Sequence, residues 1–346
     1  MTHALVTGAS GFIGHHLVRE LVERGHEVTC LVRHASNTTA LRELDVRLVR
    51  GDVTDPCSLR SAVEDVDHVY HLAGRTKALC YRDYHQVNCE GIRHLLEACA
   101  QRVTPPDVVL VSSLAAVGPS RRRDLPVLET IEPSPVSDYG RSKRAGELVA
   151  EQFADKMAIT IVRPPIVFGQ YDQASLPLFR SINAMGVHLV IGRGRQSHSL
   201  IHATDLAQLI ISAGAIGTRL SGPRARDEST AASGYYHAAC DETITYAELG
   251  HRIARGLGRR GALIVPTPPR TVWVVAAANT VLAHLTGRPR FLVIDKAREA
   301  RGGHWICTAE RARDHLMFAP RKTLDERLEE TAEWYRHAGW LLGSAR

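Results

Sequence analysis

Tyr139 and Lys143, four positions apart in Tyr-Gly-Arg-Ser-Lys, are residue types that could carry acid-base chemistry. On a helix this spacing puts both side chains on one face. A phenol with an ordinary pKa of about 10 is a poor base at neutral pH, and a neighbouring ammonium favours its phenolate and brings the value down. Such a pair suits a carbonyl and alcohol couple, because a carbonyl that receives hydride becomes an alkoxide and needs a proton donor beside it. Ser112 and Ser113, closing an apolar run, can offer a hydrogen bond to the same oxygen. Tyrosine and lysine also meet by chance on surface helices, so the pair has meaning only through the elements that position it.

Residues 7 to 14 supply the first of those elements. Thr-Gly-Ala-Ser-Gly-Phe-Ile-Gly follows a short apolar run (Ala4, Leu5, Val6) and opens a helical pattern of Phe12, Ile13, Leu17, Val18, Leu21 and Val22. Strand, glycine turn and helix form the setting of a dinucleotide fingerprint. Gly8 allows the tight turn, Gly11 lets the backbone approach a pyrophosphate, and Gly14 lets the helix pack on the strand; the amides at the helix start then face an anion. A second strand is predicted at 26–32, ending in Arg33-His34. The place of an acid that would hold a ribose 2′-hydroxyl thus carries a guanidinium, which suits a 2′-phosphate. The cofactor reading favours NADP(H), with NAD(H) as the alternative. Asp52, after a third strand at 46–49, can accept from the adenine amino group or shape a turn.

Asp55 reads as a helix N-cap with Pro56 at the first helical position and Leu59, Ala62 and Val63 inward. Strands at 67–72, 108–111 and 159–163 alternate with helices at 84–100, carrying Asn88, and 139–153. This alternation predicts an α/β fold, a Rossmann-type doubly wound parallel sheet whose strand ends line a ligand crevice. Residues 1–165 would form the dinucleotide-binding domain, with 197–215 returning to it. Residues 166–196 and 216–346 would form a smaller C-terminal substrate-binding cap. Within that half, Thr204-Asp205 is expected to cap a helix, 217–234 to form a loop acting as a flap or insertion, 235–239 a strand and 246–257 a helix. The apolar stretch 272–285 is too short to span a bilayer. It reads as a core helix or the wall of an apolar pocket, with a membrane-resting surface, and so peripheral membrane contact, as the alternative. A helical pair is expected at 308–337, with Leu324, Leu328 and Trp334 inward.

With 346 residues, 44% of them hydrophobic, the chain can bury a sizeable core. The net charge of +6 is scattered rather than striped. Its densest run, Arg121, Arg122 and Arg123, meets Asp124 at once and has no interleaved aromatics, so it reads as a solvated loop and argues against nucleic acid. Seven cysteines without a Cys-x-x-Cys pair suggest free thiols in a reducing cytoplasm. Eighteen histidines form no His-Glu-x-x-His helix, and no metal is expected. The first strand begins almost at residue 1, leaving no room for a signal peptide, so a cytoplasmic location is expected.

Thr-Gly-x-x-Gly-x-x-Gly at 7–14, Ser113, and Tyr139 with Lys143 together resemble the extended short-chain dehydrogenase/reductase family. The resemblance continues through Gly51-Asp52-Val53, His71-Leu72-Ala73, Asn88, Arg163-Pro164 and Ile201-His202-Ala203-Thr204-Asp205, and weakens beyond about residue 215. It is nearest to the branch of 3β-hydroxysteroid dehydrogenase-like, dihydroflavonol reductase-like and epimerase/dehydratase-like proteins. It implies Ser113, Tyr139 and Lys143 as the catalytic set, with Ser113 chosen because it precedes Leu-Ala-Ala-Val-Gly118 and Ser112 in reserve. It further implies a nicotinamide cofactor held by Gly8, Ser10, Gly11, Phe12, Ile13, Gly14, Arg33, Asp52, Val53, Leu72, Ala73, Asn88, Pro164 and Ile166 together with Tyr139 and Lys143. A homodimer through the helices bearing Asn88 and Tyr139 is expected by analogy.

Two departures bear on the substrate. Where sugar-nucleotide enzymes of this family place an asparagine three residues after an arginine, this chain has Ile166, and a second anchoring arginine falls on His198. Both changes remove groups suited to a diphosphate, and unpaired buried charge is costly. The small-molecule substrate is therefore expected to be an alcohol or ketone on an apolar sterol-, lipid- or polyphenol-like skeleton. A nucleotide-sugar epimerase or dehydratase is the alternative, with Arg193, Arg195 or the 121–123 run binding the anion. A non-catalytic nicotinamide-binding regulator is a third reading, disfavoured because a sensor needs no proton donor.

Overall fold

The computed structural model describes residues 2–222, 232–290 and 293–341. The first half alternates as its apolar periodicity requires: β1 (His3–Thr7), α1 (Phe12–Glu23), β2 (Glu27–Val32), β3 (Arg47–Arg50), the single turn α2 (Pro56–Leu59), β4 (His68–His71), α3 (Tyr81–His85), α4 (Gly91–Ala100), β5 (Asp107–Val111), α5 (Asp138–Phe153) and β6 (Ile159–Arg163). The second half adds β7 (Ile166–Phe168), α6 (Leu176–Met185), β8 (Val187–Ile191), β9 (Ser197–His202), α7 (Ala203–Ile216), β10 (Tyr235–His237), β11 (Thr243–Thr245), α8 (Tyr246–Gly256), β12 (Leu263–Thr267), α9 (Pro269–Thr286), α10 (Ile294–Arg301), α11 (Glu310–Leu316) and α12 (Leu324–His337).

Seven parallel strands form the main sheet in the order β10-β6-β5-β4-β1-β2-β3. The order reverses at β1, between β4 and β2, which opens a crevice at the carboxyl ends of these strands. One face buries Leu17, Val18 and Leu21 of α1 against Leu206, Leu209 and Ile210 of α7. The other buries Ile92, Leu95 and Leu96 of α4 with Val149 and Ala150 of α5. A third core joins α6, α8 and α12 through Phe179, Leu249, Ile253, Leu328 and Tyr335. Two smaller sheets are ordered β11-β9-β7 and β12-β8. Asp55 accepts from the Cys57 amide as an N-cap, with Pro56 at the first helical position.

Local structure departs from expectation in three places. The helix expected over 84–100 is α3 and α4 joined by one π-helical turn, Gln86–Glu90. The close seat of α5 accompanies this turn: a Cβ at Gly146 would stand 2.2 Å from the Asn88 carbonyl oxygen. The cap of α7 is His202, whose Nδ1 accepts from the Thr204 amide at 3.3 Å. Asp205 instead forms a buried ion pair with Arg327 of α12, at 2.9 and 2.5 Å. Finally, α9 is no core helix, since only Ala276 and Ala283 along it are buried.

Of the expected loop at 217–234, residues 223–231 lie outside the described residues. All seven cysteines are unpaired. Among the described residues no helix is long and apolar enough to cross a membrane.

Candidate active site

The crevice begins at the glycine turn after β1. Gly8 has φ +73°, and a Cβ there would lie 2.7 Å from the Ala73 nitrogen and the Leu72 carbonyl carbon. A Cβ at Gly14 would meet the Gly8 oxygen at 2.2 Å. Gly11 begins α1 with no side-chain cap and no acidic residue in the first turn, while Ser10 and Gly11 stay exposed. Unpaired amides at an exposed helix start attract an anion. A floor closed to any Cβ under an open helix end fits the pyrophosphate of a dinucleotide. Phe12 and Ile13 start the helix half-buried. Thr7 holds the opposite wall, hydrogen-bonded to His71 at 2.8 Å and accepting from the Ala73 amide at 3.2 Å.

At the crevice's far edge Arg33 is exposed after β2. Its carbonyl accepts from Nη1 of Arg50 at 2.8 Å, and Arg50 pairs with Val32 in the sheet. The edge thus holds two guanidinium residues, of which the sequence reading found one. Asp52 Oδ1 accepts from the Thr54 amide and hydroxyl, both at 2.9 Å, so its turn-forming role is realised. Val53 is buried against Gly91, where a Cβ would come within 2.9 Å of its Cγ2.

Tyr139 and Lys143 stand on α5, opened by Ser137, whose hydroxyl accepts from the Gly140 amide. Ser113, just after β5, accepts from the Ala115 amide through its hydroxyl at 3.1 Å and, against the larger effect of burial, acts on the Tyr139 hydroxyl to lower its pKa. Ser112 donates to Glu147 at 2.6 Å, so the two neighbouring serines part company. Lys143 is buried and donates from Nζ to the Val111 carbonyl at 2.8 Å. Burial lowers its pKa to about 8 against an opposing pull from Glu147. Burial pushes the Tyr139 hydroxyl up to about 12, with Ser113 opposing and Glu299 adding. The expected lowering of Tyr139 by Lys143 is therefore absent: burial dominates, and the ammonium is turned to Val111. The Tyr139 hydroxyl keeps its proton at neutral pH.

Asn88 is buried in the π turn, where it accepts from the Arg75 amide at 2.7 Å and donates to the Arg75 carbonyl and the Ser142 hydroxyl. It fixes the loop after β4 to α5; between them sits Gly74, where a Cβ would be 3.3 Å from Asn88 Oδ1 and 3.6 Å from Lys143 Nζ. Pro164, following β6, accepts from the Leu114 amide at 2.8 Å and so ties that strand to the Ser113 turn. Ile166 is half-exposed on β7, and the ring of His198 lies beside Tyr246, with burial lowering its pKa to about 4. Neither position carries a cation at neutral pH. Arg121, Arg122, Arg123, Arg193 and Arg195 are exposed, and Arg122 is paired with Asp124.

Two groups of residues that hold the start and the buried face of α5 escaped the sequence reading. Glu147 is fully buried and accepts from Arg163 at 2.8 and 2.7 Å, from Arg144 at 3.2 Å and from Ser112. Burial, the largest single influence, would raise its carboxyl, but the Arg163 and Arg144 guanidiniums and the Ser112 hydroxyl together hold it below its ordinary value. Its signal was available, since Glu147 follows Lys143 by one further four-residue step on the same face. Asp295 and Glu299 of α10 reach the start of α5: Asp295 accepts from the Asp138 and Tyr139 amides at 2.7 and 3.2 Å, and Glu299 from the Ser137 hydroxyl at 2.7 Å. Lys296 lies 5.1 Å from the Tyr139 ring centre. Nothing in the spacing announces contacts across more than 150 positions.

Residues 4–217 match the family model described as the NAD dependent epimerase/dehydratase family. The chain is 32% identical over 342 residues to a ceramide reductase of Caulobacter vibrioides, covering 97% of this chain and 95% of that one. It is 27% identical to a 3 beta-hydroxysteroid dehydrogenase/Delta 5-->4-isomerase of Mycobacterium tuberculosis, over 96% of this chain and 90% of that one. Among solved structures, the UDP-glucose 4-epimerase of Thermus thermophilus in complex with NAD shares the fold at a TM-score of 0.75 and 21% identity, over 97% and 99% of the two chains.

Proposed function

The chain belongs to the NAD-dependent epimerase/dehydratase family, and from that premise we propose that it is an NAD(P)-dependent oxidoreductase interconverting a ketone and a secondary alcohol on an apolar, lipid-like molecule. The observation that carries this reading is Tyr139 with buried Lys143 on α5, Lys143 tied to the Val111 carbonyl two residues before Ser113, in a crevice without a cation at Ile166 or His198. A nicotinamide dinucleotide, when bound, supplies or accepts the hydride. Gly8, Ser10, Gly11 and Gly14 would hold its pyrophosphate, with Leu72 and Ala73 as the wall and Lys143 close to its ribose. Ser113 donates a hydrogen bond to the substrate oxygen and fixes its position. Tyr139, held protonated, delivers its proton to the oxygen as negative charge develops there during reduction of the ketone. Arg33 and Arg50 at the ribose edge support NADP(H) over NAD(H).

The names of the ceramide reductase and the steroid dehydrogenase favour an apolar substrate. The test is NADPH oxidation with long-chain 3-oxo lipids and ketosteroids in detergent micelles, set beside titration with UDP-, dTDP- and GDP-sugars. Turnover of a lipid ketone that falls about a hundredfold or more in Tyr139→Phe, with cofactor affinity retained, is the expected result. Saturable micromolar binding of a sugar nucleotide would overturn the apolar reading.

A further inference from the structure

Helix α9 turns small side chains inward and its larger apolar ones outward. Its buried Ala276 and Ala283 face inward. Val274, Ala278, Val281 and Leu285 follow one another by four, three and four positions, a single helical stripe. That stripe faces outward: Val274 is 68%, Val281 59% and Leu285 79% exposed, with Val275 and Leu282 beside it. A contiguous exposed apolar face of this kind marks an interaction surface.

Charge identifies the partner. From residue 249 to residue 294 the sequence contains seven arginines and no aspartate or glutamate. Arg252 and Arg255 pair with Asp325, and Arg259 donates to the Asn183 carbonyl. Arg270 at one end of α9, and Arg288 and Arg290 beyond the other, are exposed and form no ion pair among the described residues. An apolar stripe bracketed by cations suits a helix lying in a lipid interface, where arginines near an anionic leaflet add to the attraction. A second copy of the chain would bring the same arginines face to face, which is unfavourable.

We propose that α9 seats in the interface of an anionic lipid bilayer, with Val274, Val281 and Leu285 at the acyl boundary and Arg270, Arg288 and Arg290 on lipid phosphates. On the inner side of this helix, Thr280, Ala283 and His284 line a cavity of about 210 Å³ whose other wall includes Tyr84 and Asp138, the neighbour of Tyr139. The docking rests on α9 alone. Passage of a lipid from the bilayer through this cavity toward Tyr139 rests also on the apolar-substrate reading.

The test is flotation of the full chain with vesicles of phosphatidylcholine alone and of phosphatidylcholine mixed with phosphatidylglycerol. Binding to the anionic vesicles should exceed binding to the neutral ones by about tenfold or more and weaken as salt rises. The double variant Val281→Asp/Leu285→Asp should lose about tenfold or more of that binding, and Arg288→Glu/Arg290→Glu should lose the preference for anionic lipid, while both keep their melting temperature and nucleotide affinity. Equal flotation on both vesicle types, unchanged flotation of the aspartate variant, or a dimer of the wild type that this variant dissolves would each overturn the proposal. Lipid-ketone turnover without flotation would remove the docking and leave the activity standing; flotation without such turnover would remove the activity and leave the docking.

Discussion

Replacing Lys143 by methionine is expected to abolish turnover while leaving the fold as stable as before or more so. Lys143 is 7% exposed, and burial holds its pKa at about 8 rather than 10.5. A buried ammonium with that depression raises the free energy of the folded state by roughly 3 kcal/mol as long as both folded and unfolded chains keep it protonated. Methionine preserves most of the stem and removes the charge. It also deprives the Val111 carbonyl of the Nζ hydrogen bond, a loss of about 1–3 kcal/mol. The balance at pH 7 is a variant between unchanged and about 2 kcal/mol more stable. The pH dependence gives a second reading of the same balance. Because the folded value lies below the unfolded one, between about 8 and 10.5 the unfolded chain binds a proton that the folded one does not, and wild-type stability gains on the variant as pH rises. Urea unfolding at pH 7 and again near the upper end of that window, monitored by tryptophan fluorescence, measures both. A variant more than about 2 kcal/mol less stable at neutral pH, or a gap that ignores pH, would refute the reasoning.

The buried carboxylate on the same helix face should behave in the opposite way. Glu147→Ala leaves Arg163, only 2% exposed, without its partner, and should cost about 3–5 kcal/mol in urea unfolding at neutral pH. That gap should narrow on acidification, because a carboxyl held low stabilises above its ordinary value and loses this contribution as pH falls. At the ribose edge, Arg33→Asp should weaken NADPH binding by about tenfold or more and reverse the order of NADPH and NADH dissociation constants, and Arg50→Ala should weaken NADPH alone. Asp295→Ala frees the Asp138 and Tyr139 amides, and steady-state kinetics should show a lower kcat with the NADPH dissociation constant within about twofold of wild type. Equal losses in kcat and cofactor affinity would mean that Asp295 serves the whole fold rather than the placement of Tyr139.

The parts of this molecule legible in its sequence are those that local rules decide. The glycine turn could be read because strand, turn and helix lie within one short stretch, and each glycine answers to a backbone neighbour that a Cβ would strike. The spacing of Tyr139 and Lys143 sufficed to place them on one helix face, but it could not fix their electrostatics. The direction of the Tyr139 shift follows from burial by surrounding elements, and Lys143 turns to a carbonyl on β5 that no helical rule points to. The π turn at 86–90 was hidden for a related reason: its cue is Gly146 on another helix. The apolar run in α9 misled in a more instructive way. Hydrophobic residues at helical spacing predict a buried face only if a partner covers them, and here only Ala276 and Ala283 are covered. Apolar periodicity says which residues share a face, whereas the charges around that face say what it meets. Seven arginines without an acidic residue over 249–294 were visible in the sequence from the start, and their meaning appeared only when the stripe they bracket proved to face outward.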